Sequence, residues 1–475
     1  MSPTSAGPAV AGRDRLVNGE VSFWHAALGG RPQPRARLSH GSHSADVVIV
    51  GAGFTGLWCA YYLKQARPDL DVLVVEKEFA GFGASGRNGG WLSAKVAGSR
   101  ERYARTHGPA LVMRLERLMA EAVDEVIRVA DAEGIDADIT KSGLLQVATR
   151  PAQLARAEHA IAADRRWGRS ERDVRLLDAV ETSERIRVPG VLGAIYSPHC
   201  ARIQPAKLVR GLASVVERSG VRIVEGTPVT EVRPGAVVTP YGTVRAKIVL
   251  RCTEGFTASI RGQRRTWLPM NSAMVVTEPL DQRVWDDIGW SGCELLGDMA
   301  HGYTYAQRTA DGRIAIGGRG VPYRFGSRTD HDGRTQSETI RQLVEALRRH
   351  FPGVPGSAVR HAWCGVLGVP RDWCTTVGFD RRTGLGHAGG YVGHGVTTTN
   401  LAARTLVDLA LEGDTELSRL PWVDRRVRRW EPEPLRWAGV HAVYRLYHLA
   451  DRLEDRGGAT TALPARFADL IAGRA

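Results

Sequence analysis

The chain has 475 residues, 43% of them hydrophobic and 24% charged, and a formal net charge of +13. This is ordinary globular composition for two or three domains and excludes a fibrous or low-complexity chain. The 64 Lys and Arg are spread along the chain, which favours a solvated basic surface over a nucleic-acid patch.

Residues 1–44 are rich in Gly, Pro, Ser and Arg and read as an N-terminal arm, with Phe23, Trp24 and Leu28 docking on the body. The arm has no apolar segment of signal type, and no later run is long enough to span a bilayer. Order is expected from Ala45. Asp46–Val50 is an apolar run stopping at Gly51, as a buried parallel strand does. A helix follows from about Thr55 to Arg67, with Pro68 just past it, and then a second strand, Val72–Val75, ending at Glu76.

Residues 100–134 carry Leu111, Leu115, Leu118, Val123, Val126 and Val129 at helical spacing, and 151–184 also read as helical. Ala206–Ser219 is an expected helix, and Val221–Val224 and Lys247–Leu250 are expected strands. Strand-like pieces at 273–277, 303–307 and 313–316 are separated by Gly and Asp turns. A helix at 337–350 follows, then a Gly-rich loop before a helix from Thr398 to Leu411. In the Arg- and Trp-rich tail, Trp437, Val440, Val443, Tyr444, Tyr447 and Ala450 share a helix face. Six scattered cysteines without a CxxC pair argue against a metal site or disulfide framework and for a reducing, cytoplasmic setting.

The strongest chemical signal is Gly51, Gly53 and Gly56, a GxGxxG between a strand and a helix. Gly51 permits the tight turn, Gly53 lets a pyrophosphate approach the backbone, and Gly56 lets helix and strand pack closely. The helix N-terminus offers N–H groups and partial positive charge to phosphates. Glu76 lies 20 residues beyond Gly56, where an acid accepts hydrogen bonds from ribose hydroxyls. Ala52, Phe54 and Thr55 in the turn and Lys77 beside the acid belong to the same expected dinucleotide site.

A second Gly-rich loop, Phe82–Gly90, follows the second strand. With it the chain resembles the FAD-dependent D-amino-acid oxidase superfamily, which includes glycine oxidase, sarcosine oxidase, D-amino-acid dehydrogenase and gamma-glutamylputrescine oxidoreductase. The resemblance covers about residues 45–412. It implies that Ala84, Ser85, Arg87, Asn88, Gly89 and Gly90 line the ribityl chain and flavin. It also implies that Val229, after Glu225-Gly226-Thr227-Pro228, touches adenine, and that Thr253 and Gly255 lie near the diphosphate. Gly393, His394, Gly395, Val396 and Thr397 match the loop whose N–H groups face the flavin's pyrimidine edge. Gly365 stands where some relatives keep a flavin-linked Cys, with Cys364 one residue off, so the resemblance implies non-covalent FAD.

On the substrate side, Trp363–Asp372 resembles a stretch that lines the family's active site. Arg319, after Ile316-Gly317-Gly318, is placed to clamp a substrate carboxylate or phosphonate, or to pair with a structural acid. Tyr303 and Tyr305 alternate onto one strand face, and Tyr305 is the candidate pocket wall. His394 is the candidate base.

The expected fold is α/β: a Rossmann-type FAD-binding domain, a second substrate domain with a mixed or antiparallel sheet, and a helical C-terminal tail. The FAD-binding domain is expected from 45–98, 186–262 and 375–412, the substrate domain from 99–185 and 263–374, and the tail from 413–475. The resemblance implies oxidation of an amine or amino acid at its C–N bond by hydride transfer to flavin N5. Imine hydrolysis then gives a carbonyl product, and electrons pass to O₂ or another acceptor. Two other readings stay open: a tRNA-modifying flavoenzyme, and an NAD-dependent dehydrogenase.

Overall fold

The computed structural model describes residues 16–318, 323–329 and 332–474. Its first sheet is built around the strand Gly41–Val50. Arg222–Val224, Val72–Val75, Gly41–Val50, Gly242–Arg251 and Leu385–Gly389 lie side by side, each parallel to its neighbour. Thr376–Asp380 closes that edge antiparallel. The alternation of a pleated strand splits the apolar residues between two faces. Val47, Ile49, Val72 and Val74 face a core with helices Phe54–Ala66, Pro205–Arg218 and Gly395–Ala410, while Val48, Val50, Leu73 and Val75 face a smaller cluster with Val237, Val244 and Val249.

Pro205–Arg218 illustrates how local sequence makes such a helix. The Gln204 side chain accepts from the Lys207 N–H, and Pro205 occupies the first turn, where its missing N–H costs nothing. Leu208, Val209, Leu212, Val215 and Val216 then form one buried stripe, each contributing ~1.5–3 kcal/mol by leaving water.

The second sheet has nine strands, ordered Val17–Asn18, Val359–Val369, Leu268–Thr277, Ile314–Gly318, Tyr305–Arg308, Leu295–Asp298, Leu144–Ala148, Gly193–Ser197 and Arg175–Asp178. Its pairs are antiparallel except for the first, Val17–Asn18 with Val359–Val369, and Leu295–Asp298 with Leu144–Ala148.

Several expectations need correction. Trp24 docks as expected, at 2% exposed, but the rest of the segment before Ala45 is not a loose arm over its described part: Val17–Asn18 joins the second sheet, and the central strand starts at Gly41. Residues 186–262 do not all belong with the first sheet, because Gly193–Ser197 pairs with Leu144–Ala148 in the second. The helix expected through 184 stops at Arg166, before Gly168 at φ +77°. The chain re-forms as strand Arg175–Asp178 and a short helix, Ala179–Arg185, opened by an Asp178–Glu181 capping box. The last helix of the first sheet begins at Gly395, three residues before the expected Thr398.

In the tail, helices Leu435–Glu454 and Leu463–Ala472 pack on each other and on Tyr323, Val369 and Trp373. Arg156 pairs with Glu454 at 2.8 Å, and His301 contacts the same carboxylate at 2.9 Å. Asp451 accepts the N–H groups of His301 and Gly302. No helix among the described residues is long and apolar enough to cross a membrane.

Candidate functional site

The central strand turns into its helix at Gly51, whose φ of +103° lies in the region that favours glycine. A Cβ there would also meet the Cys252 carbonyl oxygen at 2.7 Å. A Cβ on Gly56 would collide with the Gly51 carbonyl and sit 3.1 Å from Ile49 Cγ2. Gly53 is the N-cap and has no side chain to accept from the first turn; Ser85 Oγ accepts the Phe54 N–H instead, at 2.8 Å. Glu76 accepts the N–H of Ala52 through Oε2 at 2.8 Å and that of Glu78 through Oε1 at 2.9 Å. Burial pushes its carboxyl up to about 7 against the pull of those two donors.

These groups wall a cleft with about 1210 Å³ of atom-free space, in part open to solvent. Gly51, Gly53, Phe54, Thr55, Glu76, Lys77, Ala84, Ser85, Asn88, Val229, Thr253, Gly255, Gly393, Gly395 and Val396 all line it. A dinucleotide fits the wall chemically: bare glycine backbone, a helix N-terminus of 13 residues and an acid at the next strand end stand together.

Ala52, Gly56, Arg87, Gly89, Gly90, Gly365 and Thr397 line neither this cleft nor the larger cavity described below. They stand behind the wall. Arg87 is buried, donates to the carbonyls of Phe82 and Cys364 at 2.8 and 3.1 Å, and stacks on the Phe82 ring. The Gly89 carbonyl accepts from Gln307, and the Gly90 N–H donates to Asn88 Oδ1. A Cβ on Gly365 would meet Arg87 Cβ at 3.3 Å, so the strand and the loop touch there. The Thr397 side chain is buried inside the last helix.

The larger cavity, about 1950 Å³ of atom-free space in part open to solvent, adjoins the cleft across the loop Tyr391–Gly395. Tyr391, Gly393 and Gly395 line the cleft, whereas Val392 and His394 line the cavity. Tyr305 is on the cavity wall too, its hydroxyl 2.9 Å from Ser272 Oγ and its ring against Gly89 and Gly317. The two catalytic candidates His394 and Tyr305 therefore share one space, with Tyr303, Trp91, Gln146, Lys95, Arg102 and Arg474. Arg319, the third, lies outside the described residues.

Sequence reasoning missed Glu254. It lines the cleft at a φ of +40°, and its carboxylate gathers N–H groups from two distant segments: Gly390 at 2.9 Å, Tyr391 at 3.2 Å and Gly368 at 3.2 Å. Burial pushes its carboxyl up to about 7, opposed by those three donors. The Tyr391 hydroxyl then meets Thr55 Oγ1 at 3.0 Å, closing a chain of contacts from the last loop to the first helix. An acid inside a Thr-x-Gly turn was the available signal, but nothing local says what it binds.

The family described as FAD dependent oxidoreductase matches residues 46–409. The chain is 30% identical over 402 residues to gamma-glutamylputrescine oxidoreductase of Escherichia coli (strain K12), covering 83% of this chain and 90% of the relative. It is 23% identical over 391 residues to glycine oxidase of Geobacillus kaustophilus (strain HTA426), covering 80% and 97%. The solved structure of glycine oxidase from Geobacillus kaustophilus matches with a TM-score of 0.64 at 21% identity, over 81% of this chain and 99% of that one. L-proline dehydrogenase from P. horikoshii matches with a TM-score of 0.64 at 18% identity, over 80% and 98%.

Proposed function

Because the chain belongs to the FAD-dependent oxidoreductase family, we propose that it oxidises the C–N bond of an amine or amino acid. The observation that carries this reading is the loop Tyr391–Gly395, whose successive residues line the cofactor cleft and the larger cavity in turn. Hydride transfer needs the substrate carbon in contact with N5, so in this reading the isoalloxazine lies where the cleft and the cavity meet beside that loop.

FAD, bound non-covalently, would supply the hydride acceptor at N5, with O₂ or another acceptor as the final oxidant. In this reading Gly51, Gly53, Phe54 and Thr55 bind its diphosphate, with Thr253 and Gly255 opposite. Glu76 and Lys77 take the ribose, and Val229 the adenine. Ala84, Ser85 and Asn88 bind the ribityl end, backed by Arg87, Gly89, Gly90 and Gly365. The N–H groups at the start of Gly395–Ala410 stabilise negative charge near the isoalloxazine.

The substrate amine sits between His394 and Tyr305. An imidazole nitrogen of His394 accepts the ammonium proton, leaving the neutral amine whose lone pair drives the C–H bond to break. The Tyr305 hydroxyl, tied to Ser272, orients the carbon that loses hydride. Arg319 is the expected clamp for a substrate anion. The imine product hydrolyses to a carbonyl compound and an amine or ammonia.

The test is anaerobic mixing of the FAD-loaded protein with amines, amino acids and aminophosphonates while flavin absorbance is followed. Bleaching by one class supports the reading and names the substrate; a spectrum unmoved by all of them removes it.

A further inference from the structure

A third cavity, with about 870 Å³ of atom-free space, shares no lining residue with the cleft or the substrate-side cavity. It opens behind the flavin-facing loop, on the far side of Gly389. A Cβ on Gly389 would lie 2.5 Å from Trp267 Cζ3, on this cavity's wall, and 2.9 Å from Glu254 Oε2, on the cleft's wall.

The polar residues of its wall are Arg251, Arg425, His387, Gln263, Thr266 and Thr376; none of its lining residues is Asp or Glu. Arg251 is 8% exposed, and its guanidinium lies 4.6 Å from the Trp267 ring centre. Its one side-chain hydrogen bond among the described residues is from Nη1 to Thr257 Oγ1 at 2.9 Å, so it has no carboxylate partner among them. Glu254, the carboxyl that acts on it electrostatically, already has its oxygens engaged by three main-chain N–H groups. The other guanidinium N–H groups of Arg251 have no acceptor among the described residues, and Arg251 lines the cavity, so these donors are open to a ligand there.

The surrounding donors point the same way. Arg425 is paired with Asp372 through Nη2 at 2.6 Å, while its Nη1 has no hydrogen bond among the described residues. Gln263 Oε1 accepts from Thr266 at 2.8 Å, which leaves its amide NH₂ to donate. His387 and Thr376 stand 3.5 Å apart on adjacent strands, and burial with the nearby Arg251 charge lowers the imidazole to about 3, so it is neutral.

We propose that this cavity is a second ligand site, for a small anion bearing a carboxylate or phosphate that the Arg251 guanidinium grips, with Arg425, Gln263 and Thr376 as further donors. The planar fork of the guanidinium matches two oxygens of either group. Trp267, Leu385, Val232 and Val427 complete the wall, so an organic anion with a short apolar body is accommodated as well as a bare ion.

The experiment titrates the FAD-loaded protein calorimetrically with inorganic phosphate and, separately, with succinate, in an amine buffer at constant ionic strength set by sodium chloride. Saturable binding at one site by phosphate alone assigns a phosphate ligand, and by succinate alone a carboxylate ligand. Arg251→Gln should weaken that binding by roughly tenfold or more, and Gln263→Leu by roughly threefold or more, as expected when a charged and a neutral hydrogen bond are lost. If Arg251→Gln does not hold FAD, Gln263→Leu combined with Thr376→Val decides, since neither residue lines the cofactor cleft. Absence of saturable binding by both probes, or binding that the folded variants leave unchanged, overturns the proposal.

Discussion

Ser85 Oγ accepts a hydrogen bond from the main-chain N–H of Phe54 at 2.8 Å, so the second Gly-rich loop caps the helix that the first one opens. The N-cap is Gly53, which has no side chain to do this itself. A Cβ at Gly53 would stand 2.9 Å from the same oxygen.

Gly53→Val should therefore separate the two loops and fill the cleft. The expected outcome is loss of flavin, read as the ratio of 450 to 280 nm absorbance falling by roughly tenfold, with far-UV circular dichroism retained. Ser85→Ala loses only the cap and should cost about 1 kcal/mol in urea unfolding. A Gly53→Val protein that purifies with full flavin would contradict the assignment of the turn.

Glu254 offers a pH test. Its carboxyl stands at about 7 in the fold against 4.5 in an open chain. Between those values the folded protein keeps a proton that the unfolded chain has released, so this group's contribution to stability falls as pH rises through that window. Glu254→Gln has no titrating group. The stability of wild type relative to the variant should therefore decline by roughly 3 kcal/mol from about pH 5 to about pH 8, at ~1.4 kcal/mol per pH unit. Urea unfolding of both flavin-free proteins measures it; a difference that stays constant with pH would refute it.

Trp24 couples the N-terminal segment to the cofactor loop. Its ring lies 5.9 Å from that of Trp363, and its Nε1 donates to the Asn88 carbonyl at 2.7 Å. Trp24→Ala should cost about 3–5 kcal/mol, because a large buried ring is deleted. Trp24→Phe keeps most of the packing and should cost about 1–3 kcal/mol, mainly through the unsatisfied carbonyl. Both should weaken FAD binding, since Asn88 lines the cleft. Unchanged FAD affinity in both would mean that the loop holds its shape without this anchor.

The C-terminal helix ends over the substrate-side cavity. Arg102 donates to the Gly473 carbonyl at 2.8 Å, and Trp373 Nε1 to the Ala472 carbonyl at 2.9 Å, while Asp469 and Arg474 line the cavity itself. Positive groups at a helix C-terminus are favourable, so this end is held as well as packed. Deleting 463–475 should raise KM for the substrate by roughly tenfold while leaving FAD content unchanged, because binding contacts are lost and cofactor contacts are not. An unaltered KM would show that this helix is not part of the substrate's enclosure.

Local patterns were legible wherever the deciding contacts are close in sequence. The strand, the Gly51–Gly56 turn and Glu76 lie within one βαβ unit, and the helix Ser337–His350 matches its apolar spacing from end to end. The amino-acid sequence by itself determined that a glycine-rich turn precedes a helix N-terminus: tolerance of a positive φ at Gly51 and the missing Cβ at Gly53 are properties of the residue type. The tertiary structure decided the rest. Gly193–Ser197 could have joined either sheet, and pairing with Leu144–Ala148, about fifty residues away, settled it. Glu254 became a clasp through N–H groups 114 to 137 positions later, and Trp24 an anchor through a carbonyl 64 positions later. A carboxylate or an indole carries no local mark of its partner, because hydrogen bonds over such separations exist only once the sheets have packed.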